Sequence, residues 1–156
     1  MAKLILQPNE VYLNLKEGYY LPYLKSIFEY KDNALIIRKK NLIGKFIYSY
    51  VRIAQLPKNP KETRTGVILN LPTDNIEHYE NKFIYIDPHA ERQINAHIDA
   101  YFHLQYFTFL IENAYKFESR TDLINSFRDS LNLVEDDISM TTLLKSDYRF
   151  RKNIKI

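Results

Sequence analysis

Few residue pairs in this chain could carry out acid–base chemistry, and each has a simpler structural explanation. His103 lies four residues after Asp99, so on a helix the carboxylate could orient the imidazole as a general base. In this register an Asp–His pair is more often a surface hydrogen bond. Asp74, Glu80 and Lys82 resemble the two carboxylates and lysine of a metal-dependent nuclease. The two acids lie six residues apart before one strand rather than on two strands, so we predict no catalytic site and no enzyme activity.

Other motifs for catalysis, metals or cofactors are missing from the sequence. The chain has no cysteine, which excludes disulfides, thiolate metal sites and a cysteine nucleophile. Its 3 glycines are widely separated, so no phosphate-binding loop is present. His97 and His103 would point to different faces of a helix, and no H-E-x-x-H pair occurs. We therefore predict no metal and no cofactor.

The strongest functional pattern lies near the C-terminus. From Lys145 to Ile156 there are five basic residues against one acidic residue, interleaved with Tyr148 and Phe150. Basic groups neutralise phosphates and aromatic rings stack on unpaired bases, so the pattern predicts weak, sequence-tolerant nucleic-acid binding. An ordinary solvated helix end has the same appearance. The predicted binding residues are Lys145, Arg149, Arg151 and Lys152, aided by Arg38, Lys39 and Lys40.

Charge is segregated along the chain. The net charge is +3, yet residues 31–64 contain nine basic and two acidic side chains, whereas residues 65–99 contain two basic and six acidic ones. A one-sided field favours a polyanion or an acidic protein surface as partner. Alternatively, folding brings the opposite charges together and the field is dissipated.

The first half of the sequence is typical of strands. Residues 11–15 alternate as a half-buried strand does, and residues 19–30 have the spacing of a short helix. Further strands are predicted over Ala34–Arg38, Lys45–Ile53, Thr65–Leu71 and Lys82–Ile86, with Asn41–Gly44 as a tight connection between the first two. This pattern predicts a small, mostly antiparallel sheet of about three to five strands.

The second half changes to helical spacing at Asp87–Pro88, an N-cap acceptor followed by proline. One helix is predicted from Pro88 to about Phe117. It is apolar on nearly every face between Ile98 and Ile111, so we expect it to be buried against the sheet or shared with another chain as an oligomer interface. The apolar run is shorter than a membrane span and is interrupted by polar residues, so membrane insertion is not expected.

Two shorter helices are predicted to follow. Ser119 or Thr121 caps the first, which runs to about Leu131, and Ser139 caps the second, in which Leu143, Leu144 and Tyr148 are predicted to face inward. A helix pair with basic groups on its second member resembles a helix-turn-helix in outline. Together these elements predict a single α+β domain over residues 1–156, with a β-rich part at 1–86 and a helical part at 87–156.

Three segments carry a resemblance to other proteins: Gly18–Leu21, Ile68–Pro72 and the ending Glu135–Lys152. In these the chain resembles a group of short uncharacterised proteins encoded in phages and mobile elements of Bacteroidetes-type bacteria. The resemblance implies a setting and no site residues. No signal peptide is recognisable, so we expect the cytoplasm of a bacterial host, or a virion.

Two functions are consistent with these patterns. The first is a non-enzymatic accessory protein of a phage or mobile element that binds nucleic acid through a basic C-terminal helix. The alternative is a virion structural or assembly protein that acts through protein–protein contacts of its aromatic helix and sheet edges, with other phage proteins or copies of itself as partners.

Overall fold

Strands and helices are interspersed up to Tyr85, and from Pro88 onward the described elements are helices alone. The computed structural model describes residues 4–72 and 82–154. They form a mixed α+β fold with a small sheet, a long central helix and C-terminal helices, which confirms the predicted class. The chain divides into a first unit, Met1–Asp99, and a second unit, Ala100–Ile156. The boundary therefore falls inside the long helix.

The elements of the described residues, in chain order, are β1 (Glu10–Asn14), α1 (Tyr20–Ile27), β2 (Glu29–Lys31), β3 (Ala34–Ile36), α2 (Leu42–Tyr50), β4 (Arg52–Ala54), β5 (Gly66–Asn70), β6 (Phe83–Tyr85), α3 (Pro88–Asn113), α4 (Arg120–Ser130) and α5 (Met140–Ile154). A short 3₁₀ turn, Ala114–Lys116, follows α3. Helix α3 begins at Pro88 as predicted, because the Asp87 carboxylate accepts a 2.7 Å hydrogen bond from the Ala90 backbone N–H.

The sheet of the first unit is mostly antiparallel, as predicted. Its four strands have the order β1-β5-β3-β2, and only the β3–β5 pairing is parallel. Strands β4 and β6 form a separate antiparallel pair. Alternate residues of β1 and β5 are buried, including Leu13 and Leu69 at 0 % exposure. This alternation is the period of two that a strand with one buried face requires.

Strand β1 lies at an edge of the sheet, and side chains of α3 occupy that edge. The Asn95 amide accepts a 2.7 Å hydrogen bond from the Lys16 backbone N–H and donates a 2.9 Å hydrogen bond to the Asn14 carbonyl. The Glu91 carboxylate accepts from the Asn14 N–H at 3.2 Å. Asn95 is only 7 % exposed, so its polar atoms need these partners. The C-terminal end of this edge is therefore satisfied by a helix instead of another strand.

The predicted strand Lys45–Ile53 is wrong over most of its length. Residues Leu42–Tyr50 form α2, and only Arg52–Ala54 is a strand. The expected tight connection at Asn41–Gly44 is instead the start of that helix, because the Asn41 side chain accepts a 2.8 Å hydrogen bond from the Gly44 N–H. The Gly44 backbone also approaches the Arg38 carbonyl so closely that a Cβ would collide with it. The β-branched and aromatic composition had suggested a strand, whereas the burial spacing of Ile43 and Ile47 is helical.

The helix predicted over residues 19–30 is shorter than expected. It ends at Ile27, and Glu29–Lys31 is strand β2. Asp32 and Asn33 adopt φ of 54° and 61° and connect β2 to β3. Two consecutive residues with positive φ form the turn that suits the twist of an antiparallel pair, and Asp and Asn tolerate that conformation. Because this turn pairs β2 with β3, the end of the expected helix is a strand instead.

The central helix α3 is buried along a winding stripe. Buried residues recur at every fourth position, namely Ala90, Ile94, Ile98, Phe102, Tyr106 and Leu110. A step of four residues exceeds one helical turn by about 40°, so the stripe moves around the helix along its length. This winding explains why the sequence looks apolar on nearly every face. Leu104 and Ile111 lie off the stripe and are each 60 % exposed.

The second unit has an aromatic core. The rings of Phe102 and Tyr106 pack against Phe127 of α4 at centroid distances of 5.9 Å and 4.8 Å. Ser119 caps α4, since its hydroxyl accepts a 3.0 Å hydrogen bond from the Asp122 N–H. The connection from α4 to α5 extends from Leu131 to Ser139, which is longer than the turn of about three or four residues in a helix-turn-helix. The predicted helix pair is present, but its connection departs from that motif.

Candidate nucleic-acid interface

The acidic segment before α5 fixes the start of the helix. The Ser139 hydroxyl accepts a 3.1 Å hydrogen bond from the Thr142 N–H, which is the predicted cap. The Glu135 carboxylate accepts from the Met140 N–H at 3.1 Å and pairs with Arg128. These hydrogen bonds lower the pKa of Glu135, and the one from Arg128 has the largest effect. A carboxylate at a helix N-terminus also suits the helix dipole, so the segment holds α5 in place.

The inner face of α5, which comprises Leu143, Asp147 and Phe150, packs within the second unit. The Leu143 carbonyl accepts a 2.8 Å hydrogen bond from the buried Tyr106 hydroxyl. The Phe150 ring stacks on Phe107 with centroids 4.0 Å apart and planes 6° from parallel. Phe150 is therefore engaged in packing, although the sequence pattern grouped it with Tyr148 as an aromatic between basic residues.

Asp147 is fully buried and organises two arginines. Its carboxylate accepts hydrogen bonds of 2.5 Å and 3.1 Å from the Arg120 guanidinium. The Arg151 Nε lies 3.3 Å from the same carboxylate. Removal of a charge from water is costly unless partners compensate it, so both arginines serve this carboxylate. Arg151, one of the predicted binding residues, already has a partner and lies beside the inner face.

The outer face of α5 comprises Thr141, Leu144, Lys145, Tyr148, Arg149 and Lys152. At about 100° per residue these side chains occupy an arc of about 140° opposite the inner face. Lys145, Arg149 and Lys152 are exposed, and none of them forms an ion pair within the part of the chain that the structure describes. Three of the four predicted C-terminal residues are thus brought together on one solvent-facing surface. The prediction that Leu144 and Tyr148 face inward is wrong, since both lie on this surface at 37 % and 60 % exposure.

Sequence reasoning overlooked how selectively the cations of the second unit are paired. Arg120, Arg128 and Arg151 pair with Asp147 or Glu135, and Lys116 lies over the Tyr115 ring at 5.6 Å. The Asp147–Arg151 pair has the i,i+4 spacing of a helical ion pair, so the sequence did contain a signal for it. Arg120 lies in another helix, and no local signal indicated its contribution.

The predicted auxiliary residues Arg38, Lys39 and Lys40 belong to the first unit, immediately before α2. Arg38 and Lys40 help to line a small groove of about 180 Å³. The Lys39 ammonium lies 5.2 Å from the centroid of the Tyr48 ring, so a cation–π contact already engages it. The structure therefore locates these residues in a different compact unit from α5.

The catalytic hypotheses gain little from the structure. Asp74 and Glu80 of the nuclease-like set lie outside the described residues. Asp99 accepts a 2.7 Å hydrogen bond from the Tyr20 hydroxyl, and the His103 ring packs edge-on against Phe102. No group of three or more His, Cys, Asp or Glu residues suited to a metal occurs in residues 4–72 and 82–154. Over the same residues, no helix is long and apolar enough to cross a membrane.

A cavity of about 630 Å³ in the first unit lies between the end of β1 and α3. Its polar lining is already used structurally, since Glu91 and Asn95 bind the backbone of β1 and Asp99 binds Tyr20. Burial, followed by the hydrogen bond to Asp99, raises the pKa of Tyr20. Burial also raises the pKa of the neighbouring Tyr19 to about 12. These phenols stay protonated at neutral pH, so the cavity offers no tyrosinate base.

Comparisons with known proteins give no family for this chain. No family profile matches it, and neither the curated proteins nor the solved structures contain a significant match.

Proposed function

We propose that the chain binds nucleic acid weakly and with little sequence preference through the outer face of α5. In this proposal it is a non-enzymatic accessory protein of a phage or mobile element, the setting that the sequence resemblance implies. The observation that carries the proposal is the grouping of Lys145, Arg149 and Lys152 on one exposed face, with no ion pair among the described residues.

The lack of ion pairs on this face, among the described residues, matters because a cation that is paired with a carboxylate attracts a phosphate less strongly than an unpaired one. Arg120 and Arg151 share the buried Asp147, so part of their positive charge is already compensated by that carboxylate. Lys145, Arg149 and Lys152 carry full charges in water. Each phosphate that they neutralise releases condensed counterions, which favours binding at low salt.

The test is the triple variant Lys145→Gln/Arg149→Gln/Lys152→Gln, measured by fluorescence anisotropy on a short labelled duplex. We expect the parent to bind in the micromolar range or weaker, with an affinity that falls steeply between about 50 and 200 mM salt. For each phosphate contact that the variant loses, its plot of log affinity against log salt should become shallower by about 0.9. Arg151 stays unchanged, because its substitution would also disturb Asp147.

A matched control removes the same charge elsewhere. Lys58, Lys61 and Arg64 are exposed in the loop before β5, and their joint replacement by Gln lowers the net charge equally. We expect this control to retain most of the salt slope. If the α5 variant folds, binds as the parent does and shows the parent's salt slope, the outer face of α5 is not the binding surface.

The alternative function is assembly through protein–protein contacts. It is favoured by Leu104 and Ile111, which are 60 % exposed on α3, and by Tyr115, which is 82 % exposed in the following turn. Exposed apolar groups at this spacing are typical of a helix that packs against another chain. Light scattering after size-exclusion chromatography tests assembly with copies of the chain itself, which requires a mass above that of the monomer without nucleic acid.

A further inference from the structure

Tyr148 is exposed without a structural reason. Its side chain is 60 % exposed, and no hydrogen bond or ring contact involves it in the described part of the chain. The buried tyrosines differ, since Tyr20, Tyr48 and Tyr106 each direct the hydroxyl to an acceptor at 2.7–2.8 Å. A large ring in water contributes little to the fold, so a free aromatic surface is present on the outer face of α5.

Cations flank this ring along the helix. Lys145 precedes Tyr148 by three residues and Lys152 follows it by four, which places all three on one line of neighbouring side chains. The two lysines are separated by about 10 Å along the helix axis. An unstacked base on the ring would therefore have a positive charge on either side for the adjoining backbone phosphates.

A shallow groove extends the ring surface. Thr141, Leu144, Lys145, Tyr148 and Arg149 line a concavity of about 460 Å³. Leu144, which is 37 % exposed, lies four residues before Tyr148 and adds apolar surface beside the ring. Bases inside a duplex have both faces covered by their neighbours, so ring and groove can contact a base face only in a single strand.

We infer that the outer face of α5 binds single-stranded nucleic acid in preference to duplex, with one base stacked on Tyr148 and the adjoining phosphates bound by Lys145, Arg149 and Lys152. This inference rests on the proposed function and names its substrate class. Phe150, the other aromatic of the basic segment, has no such role, because its ring is stacked on Phe107.

The test compares three labelled probes with the full chain: a short oligo-thymidine strand, a duplex of the same length, and an abasic strand with the same phosphates. The parent should bind the thymidine strand more tightly than the other two. Tyr148→Ser should weaken binding to the thymidine strand by about fivefold or more, the range for loss of one stacked base, and leave the abasic strand unaffected. Tyr148→Phe should bind as the parent does, since the ring is retained.

Tyr115→Ser is the matched control, because Tyr115 is an exposed tyrosine of the same unit at 82 % exposure with Glu112 and Glu118 close by in the sequence. It should bind every probe as the parent does. If the parent binds duplex as tightly as the thymidine strand, or if Tyr148→Ser weakens all probes equally, the inference is overturned while the proposed function stands. If the parent binds no probe, both are overturned.

Discussion

On the inner face of α5, Asp147 is 0 % exposed and two arginines converge on it; on the outer face, three cations and an exposed tyrosine point into water. The two faces have similar numbers of basic residues within reach, yet those residues serve different purposes. At the inner face, positive charge compensates a buried carboxylate and joins α4 to α5. At the outer face, positive charge has no such use within the described residues. The position of a basic residue around the helix, more than the number of such residues, separates the cations that pair within the described residues from those that do not.

The largest expected effect on stability is at the aromatic core of the second unit. Phe102 is 1 % exposed and packs edge-on against Phe127. Phe102→Ala should lower the free energy of unfolding by about 3–5 kcal/mol, because truncation leaves a cavity among aromatic rings. Urea denaturation measures the loss. Leu104→Ala, at a position that is 60 % exposed on the same helix, should change stability by no more than about 0.5 kcal/mol. Equal effects at both positions would contradict this account of the core.

A smaller loss is expected when one partner of Asp147 is removed. Arg120→Met keeps most of the side-chain volume and leaves the buried carboxylate with Arg151 alone. We expect the free energy of unfolding to fall by about 2–3 kcal/mol, less than for an unpaired buried charge, because Arg151 remains. Chemical denaturation of the variant measures this change.

The same substitution on the outer face provides the matched control. Arg149→Met should alter stability by no more than about 0.5 kcal/mol and should weaken nucleic-acid binding. Arg120→Met should show the reverse, with binding preserved as long as the chain is folded. If both variants lost stability equally, the division into inner and outer faces would be wrong.

The smallest expected effect is on the stability of the protein at acidic pH. Hydrogen bonds from Arg128 and from the Met140 N–H lower the pKa of Glu135 below its usual 4.5 in the folded chain. The charged form is therefore favoured by folding, and its stabilisation is complete above the unfolded pKa and lost as the pH falls through the folded pKa. Glu135→Gln should consequently flatten the dependence of the melting temperature on pH below about 4.5.

Thermal melts of parent and variant between neutral and acidic pH check this expectation. Asp136→Asn is the matched control, since Asp136 is an exposed neighbour for which no hydrogen bond is found. It should leave the pH dependence as in the parent. A Glu135→Gln variant with an unchanged pH profile would show that the carboxylate does not hold the start of α5.

Local signals in the sequence predicted the helical half well. Asp87, Ser119 and Ser139 each cap a helix at the predicted place, because a cap depends on one side chain and the backbone within three residues of it. The strand predicted over Lys45–Ile53 failed because its β-branched and aromatic residues have strand propensity, whereas the helix is set by the Asn41 cap and by burial of Ile43 and Ile47.

The candidate interface was predictable only in part. The charge cluster was visible, and the helical angle separates Arg151 from Lys145, Arg149 and Lys152. Asp147 binds Arg120 as well as Arg151, and the Phe150 ring stacks on Phe107. Arg120 and Phe107 lie on other helices. Contacts between elements distant in sequence leave no local pattern, so the sequence did not show that Phe150, rather than Tyr148, is the aromatic residue that packs inward.

The amide of Asn95 presents to β1 the donor and acceptor that a neighbouring peptide group would present. An open strand edge is a template on which another polypeptide can add, and repeated addition leads to fibres. At this edge the template is already occupied, and the opposite edge strand, β2, is only three residues long and carries Glu29 and Lys31. Addition of a strand at the C-terminal end of β1 would therefore have to displace side chains of α3.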